Sequence, residues 1–268
     1  MKCGSKILAK TLIFSVGLVT AIPVVAWAYD LSTESTAVRI DCQQAAAQAD
    51  ILVTPAAYAF AAECLLTEVM LGGARDNKDQ SKFARDMAEA ALTLTPDHQN
   101  ARLQYAIADG FITRETGNVS AWMKKLPQKT YAIAQAYRTD FPDDPRGDAL
   151  LGAWHLAVVR KAGDGNARKW FDASVADGQT LYDTALEKSA TDPIVIVNYA
   201  FALLALDDAD MPTTDVARDW LTRLESLPTE TYLENTLKNY GLTALAKIND
   251  RDAVRDYCGQ FLDGKVPG

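Results

Sequence analysis

Asp192-Pro193-Ile194-Val195-Ile196-Val197-Asn198-Tyr199-Ala200-Phe201-Ala202-Leu203-Leu204 contains the chain's closest approach to a β-strand, four β-branched residues in a row. Its start argues otherwise. Asp followed by Pro is a helix N-cap with proline at the first helical position, where the missing N–H is no loss. The run then continues without a turn into residues 199–204, and no alternating stretch with a hairpin turn offers it a partner. It predicts a helix, and with it an all-α fold.

Outward from this stretch the pattern repeats. The chain is rich in Ala, Leu, Gln, Glu, Arg and Lys, with apolar residues at three- and four-residue steps. Gly72-Gly73, Pro96, Gly117, Pro127, Pro142, Pro145, Gly163, Gly165, Pro193, Pro212 and Pro228 punctuate it. The helices pair. In the first helix of each pair a large residue is followed by a small one: Tyr105-Ala106, Leu151-Gly152, Tyr199-Ala200, Tyr240-Gly241, with Ala61-Ala62 a weaker form. The second helices carry Ala84/Ala88/Ala91, Gly178/Tyr182/Ala185, Ala217/Leu221/Leu224 and Ala253/Tyr257. Small residues let backbones approach, and a bulky neighbour fills the space beside them. Pro96, Pro142 and Pro228 then close units.

This grammar resembles the tetratricopeptide repeat, best in Ala84-x3-Ala88-x2-Ala91-x4-Pro96, in Gly178-x3-Tyr182-x2-Ala185 and in Leu151-Gly152 followed by His155. The family repeats every 34 residues, whereas the small positions 62, 106, 152, 200 and 241 lie 44, 46, 48 and 41 apart. The likeness covers residues 55–262. It implies a right-handed α-solenoid of about five helix pairs behind a leading cap helix at about residues 33–49, with residues 250–261 as the closing cap. Residues 29–268 would then be one domain.

Residues 1–28 read as an export signal. Lys2, Lys6 and Lys10 precede an apolar run over residues 11–25, and Ala26-Trp27-Ala28 is a small-x-small cleavage pattern. Cleavage is expected after Ala28, with an uncleaved anchor as the alternative. Cys3 precedes the apolar run and so is not a lipoprotein cysteine. The 268-residue chain carries a net charge of −8; without the three lysines, 24 basic residues face 35 acidic ones, a net charge of −11. That balance excludes a general nucleic-acid binder. Export makes a disulfide possible. If two helices flank residues 50–54, Cys42 and Cys64 lie at nearly equal depth on antiparallel neighbours, so a Cys42–Cys64 bridge is expected, with Cys258 a buried free thiol. The alternative is two buried thiols that never meet.

No catalytic constellation emerges. HExxH, paired CxxC, P-loop and GxSxG patterns are absent, and two histidines leave little for a metal. His98 reads as a turn residue and His155 as a packed core histidine. Gly163-Asp164-Gly165-Asn166 follows no strand and reads as a helix-to-helix turn. Asp207-Asp208-Ala209-Asp210 lacks the spacing of a calcium loop. No enzyme, cofactor or metal is expected, and a cell-wall hydrolase finds no serine or carboxylate site.

Two extended turns are more informative. Residues 115–127 carry Trp122, Lys124 and Lys125; residues 161–171 carry Arg168, Lys169 and Trp170. Sharing one place in the repeat, they would emerge along one edge as a basic, aromatic ridge suited to a partner. Alternatively each tryptophan covers its own helix pair. By the resemblance, Gln104, Ala108, Trp154 and Asn198 would face the inner groove. The leading expectation is a non-enzymatic periplasmic scaffold or protein-interaction module of the bacterial envelope. The alternative is a solute- or lipid-binding helical-repeat protein partnering a periplasmic transport system, similar in plan to the subunit that accompanies the solute-binding protein in some such systems. A channel of several hundred Å³ favours the second, and a filled superhelix axis counts against it.

Overall fold

The structure, a computed structural model, describes residues 41–206 and 213–268; the expected export signal, residues 33–40 of the expected leading helix, and the expected turn at Asp207–Asp210 lie outside them. Among the described residues there are thirteen α-helices and no strand. They run α1 Cys42–Leu52, α2 Pro55–Met70, α3 Asn77–Leu94, α4 Gln99–Arg114, α5 Asn118–Met123, α6 Leu126–Asp140, α7 Pro145–Ala162, α8 Asp164–Phe171, α9 Val175–Lys188, α10 Pro193–Leu204, α11 Thr213–Arg223, α12 Tyr232–Lys247 and α13 Arg251–Leu262. Contacts gather the described residues into one unit.

The β-branched stretch is helix α10. The Asp192 carboxylate caps it, accepting from the N–H groups of Ile194 and Val195. Ten of its residues are buried, because α10 packs against α7, α9, α11, α12 and α13. A helix surrounded on all sides is apolar on all sides, and burial there outweighs the mild helix penalty of Val and Ile. The same Asp–Pro or Thr–Pro entry opens α7, from Asp144, and α2, from Thr54. Thr231 and Glu234 form a reciprocal capping box on α12.

The helices pair as the residue grammar anticipates: α2 with α3, α4 with α6, α7 with α9, α10 with α11, and α12 with α13. The pairs are antiparallel. Gln80, early in α3, donates to the Leu65 carbonyl late in α2, and Lys188, ending α9, reaches Asp148 at the start of α7. At the closest approach, Gly152 of α7 lies against Tyr182 and the Gly178 carbonyl of α9, while Gly178 lies against Leu156. A Cβ on Gly152 would stand 2.7 Å from the Tyr182 ring. Here the small-residue rule operates as inferred: two glycines bring the backbones together and a Tyr and a Leu fill the flanks.

Two cores result. One joins α1 to α4 through small residues such as Ala61, Ala62, Ala84 and Ala88, and the other spans α7 to α13 around Tyr182, Tyr199 and Phe201. Helix α6 buries only Ala134 and Tyr137. Polar contacts hold it instead: Thr130 donates to Asp109, and Arg102 pairs with Asp140 at 2.5 Å. The Arg138 Nε stands 2.6 Å from the fully buried Asp148, which Lys188 also reaches at 2.5 Å.

Three expectations require correction. The two insertions are not extended turns but short helices, α5 and α8; α8 restarts directly after Gly163, whose φ of +76° favours glycine. Helix α1 continues to Leu52, so only residues 53–54 connect it to α2, with Val53 turning at a φ of 49°. The closing helix is more than a cap. Beyond α13, the Gly264 carbonyl accepts from Asn77 Nδ2 at 2.9 Å, and the backbone of Lys265 and Val266 packs on Gly72, whose φ of +73° ends α2. The end of the chain thus touches the first helix pair.

Candidate functional site

Because α13 returns toward α2 and α3, the inner sides of the helices surround a cavity of about 710 Å³. Its wall takes residues from α2, α4, α6, α7, α10 and α13, among them Leu66, Ile107, Phe111, Ala153, Ile194 and Phe261. The wall is mostly apolar, as expected for a pocket that encloses a small molecule. Its charged members are Arg114, Arg146, Arg160 and Lys161 against a single carboxylate, Glu63, in a chain whose net charge is −8. Trp122 of α5 and Trp170 of α8 belong to the lining and are also 59% and 57% exposed, so they stand where the cavity opens to solvent.

The residues expected to face a groove or ridge divide into three sets. Trp122 and Trp170 are more than half exposed, and Val119 and Met123 are exposed beside Trp122. Lys124 and Lys125 are exposed and make no ion pair among the described residues. Arg168 pairs with Asp164 one turn back, at 3.0 Å, and the Lys169 ammonium lies 4.8 Å above the Trp170 ring. Trp154, Asn198 and Gln104 line the cavity rather than an open groove. Trp154 is buried, donates its indole N–H to the Pro127 carbonyl at 2.8 Å and packs on Tyr131 with ring centres 4.7 Å apart. The amide of Asn198 bonds to Ile194 O within its own helix. Ala108 belongs to neither set; it is buried in the core of α1 to α4.

Cys42 and Cys64 stand at disulfide distance, their Cα atoms 5.3 Å apart, and Cys258 is a buried free thiol whose ionisation burial makes harder. His98 caps α4, its Nδ1 accepting from the Ala101 N–H at 3.2 Å. His155 is packed edge-on against Trp154 and accepts from the Ser174 N–H. Burial lowers its affinity for a proton, although Asp177 and Asp172 oppose the shift, so the neutral ring is the favoured form. Among the described residues no group of three or more His, Cys, Asp or Glu could hold a metal, and no helix is long and apolar enough to cross a membrane.

Sequence reasoning missed Arg114, Arg160, Lys161 and Asp263. Arg114 is mostly buried; its Nε donates to Glu115 at 2.9 Å, and its guanidinium lies 4.4 Å from the Phe111 ring centre. Arg160 donates from both terminal nitrogens to Asp263, and Lys161 adds a third bond at 2.8 Å. In the sequence these are ordinary basic residues in the last turns of two helices, where the dipole alone would explain them. Nothing local marks the carboxylate that meets them, which comes from the end of the chain.

Compared with protein-family models and with curated proteins, the chain matches none.

Proposed function

We propose that this protein is an exported carrier with a tetratricopeptide-like helical-repeat plan, holding a small apolar or amphipathic molecule inside its helix array and serving a transport system of the bacterial envelope. The observation that carries the reading is the cavity of about 710 Å³, large enough for a drug- or lipid-sized ligand and walled by apolar side chains. A filled interior would have favoured a scaffold. The export signal and the Cys42–Cys64 pair agree with the periplasm. A right-handed solenoid of repeat helices, closed by the returning chain end, would leave such a space, which supports the reading.

A second reading, a protein-interaction scaffold, is favoured by one observation. Trp122, Trp170, Val119 and Met123 are exposed together with Lys124, Lys125 and Lys169, a combination seldom left bare without use. The two readings are compatible if the rim at the opening is where a transport partner receives the ligand.

Native mass spectrometry of the mature protein, purified gently from its own host, tests both. A protein species carrying a small added mass supports the carrier. A reproducible protein companion, with no small molecule and no binding of an apolar fluorescent probe, overturns it in favour of the scaffold.

A further inference from the structure

One end of the cavity wall is cationic. Arg114, Arg160 and Lys161 all line it, and among the described residues the carboxylates engaged with them are Glu115 and Asp263. Three positive charges against two negative ones leave the cluster at +1. The residues are not freely solvated: the side chains of Arg114 and Arg160 are 15% and 18% exposed. Arg114 feels the charges of both Asp263 and Arg160, so the cluster is one electrostatic unit drawn from α4, α7 and the chain end. Its bonding is also incomplete. Arg114 Nη2 is buried and has no acceptor among the described residues. It packs on Gly264, where any Cβ would collide with it. A poorly hydrated cluster with one positive charge in excess, beside an apolar wall, is costly unless an anion completes it.

From this juxtaposition we infer that the ligand is an anionic amphiphile: one carboxylate- or phosphate-type head pairs with the Arg114–Arg160–Lys161 cluster, and an apolar chain lies along Phe111, Ile107 and Ala153. Lys161 is the most exposed of the three cations and places the cluster near solvent, so the head enters from that side while the tail is desolvated. Glu63, the one carboxylate of the wall, is occupied by the Asn100 amide. A cationic ligand would meet four positive side chains and is disfavoured. A neutral ligand would fill the apolar part and leave the charge uncompensated. The inference rests on the carrier reading and adds to it the charge of the cargo.

The test uses cis-parinaric acid and its methyl ester, which share a fluorescent apolar chain and differ in head charge, with N-phenyl-1-naphthylamine as a neutral probe of the cavity. The acid is expected to bind the wild-type protein about 10-fold or more tightly than the ester, as charge-assisted pairing at a partly buried guanidinium provides. In Arg114→Gln the acid should fall to within about 2-fold of the ester, with ester affinity unchanged, and Arg114→Lys should restore part of the preference. If acid and ester bind the wild type equally while the naphthylamine enters, the anionic head is refuted and the carrier reading survives. If none of the three probes binds, the carrier reading falls with it. The wild-type comparison is decisive even if Arg114→Gln does not fold.

Discussion

Arg160 holds Asp263 from both ends of its guanidinium, each bond 3.0 Å long, across 103 residues of chain. This pair ties the last turn of α7 to the end of the chain and fixes one wall of the cavity. Burial alone would raise the pKa of Asp263, but the bonds from Arg160 and Lys161 and their charges bring it down from 3.8 to about 2. A carboxylate depressed in the folded state stabilises the fold above its unfolded value, and that stabilisation is lost as pH falls toward 2. With the side chain 34% exposed, screening reduces the contribution to about 1 kcal/mol. Urea titrations of wild type and Asp263→Asn should differ by that amount at pH 6 and converge near pH 2. A constant gap over this range would mean that the ion pair is not the cause.

Gly152 tolerates no side chain. The nearest atoms to an added Cβ are the Tyr182 ring at 2.7 Å and the Gly178 carbonyl at 3.0 Å, one of them backbone that cannot move aside alone. Gly152→Ala is expected to destabilise by about 1–3 kcal/mol, the range for overpacking. Gly165→Ala, with open space around it, should be within about 0.5 kcal/mol of wild type. Equal midpoints in chemical denaturation would contradict the close α7–α9 approach.

Asp148 is fully buried between Arg138 of α6 and Lys188 of α9. Asp148→Asn removes the charge that both cations face. The expected loss is about 2 kcal/mol, less than for a fully buried pair because Arg138 and Lys188 reach water. Calorimetry should show a lowered midpoint, and an unchanged one would show that water already screens these charges.

Trp122→Ala with Trp170→Ala separates rim from core. Both rings are more than half exposed, so the double variant should lose less than about 1 kcal/mol of stability. Retention of the ligand mass or the partner in native mass spectra should fall. A large drop in melting temperature with retention intact would assign the tryptophans to covering their own helix pairs.

Opening the Cys42–Cys64 link should cost about 3 kcal/mol for a loop of 22 residues. In a chain beginning at Tyr29, an aromatic disulfide reagent should find no reactive thiol in the native protein and one after unfolding, Cys258. Three titratable thiols in the denatured, unreduced protein would refute the link.

The helices, their caps and their pairing were legible because they depend on near neighbours. Asp192-Pro193 starts a helix whatever follows, Gly152 and Gly178 announce a close approach by their size, and Cys42 and Cys64 match in depth because rise per residue is constant. The insertions were legible as places but not as helices, since six and eight residues are too few for a reliable period. Trp154 showed the limit of alignment with a repeat: it is buried, lines the cavity and bonds to the Pro127 carbonyl, a partner that no repeat position announces.

What the sequence determined by itself was therefore the all-helical, paired construction, set by short-range sterics, capping and apolar periodicity. The tertiary structure alone decided that the chain end returns to the first pair, that a cavity remains inside, and that Arg114, Arg160 and Lys161 meet on its wall with Asp263 behind them. Those features depend on contacts between residues far apart in the chain, such as Arg160 with Asp263 across 103 residues. No local pattern of residues encodes such a meeting.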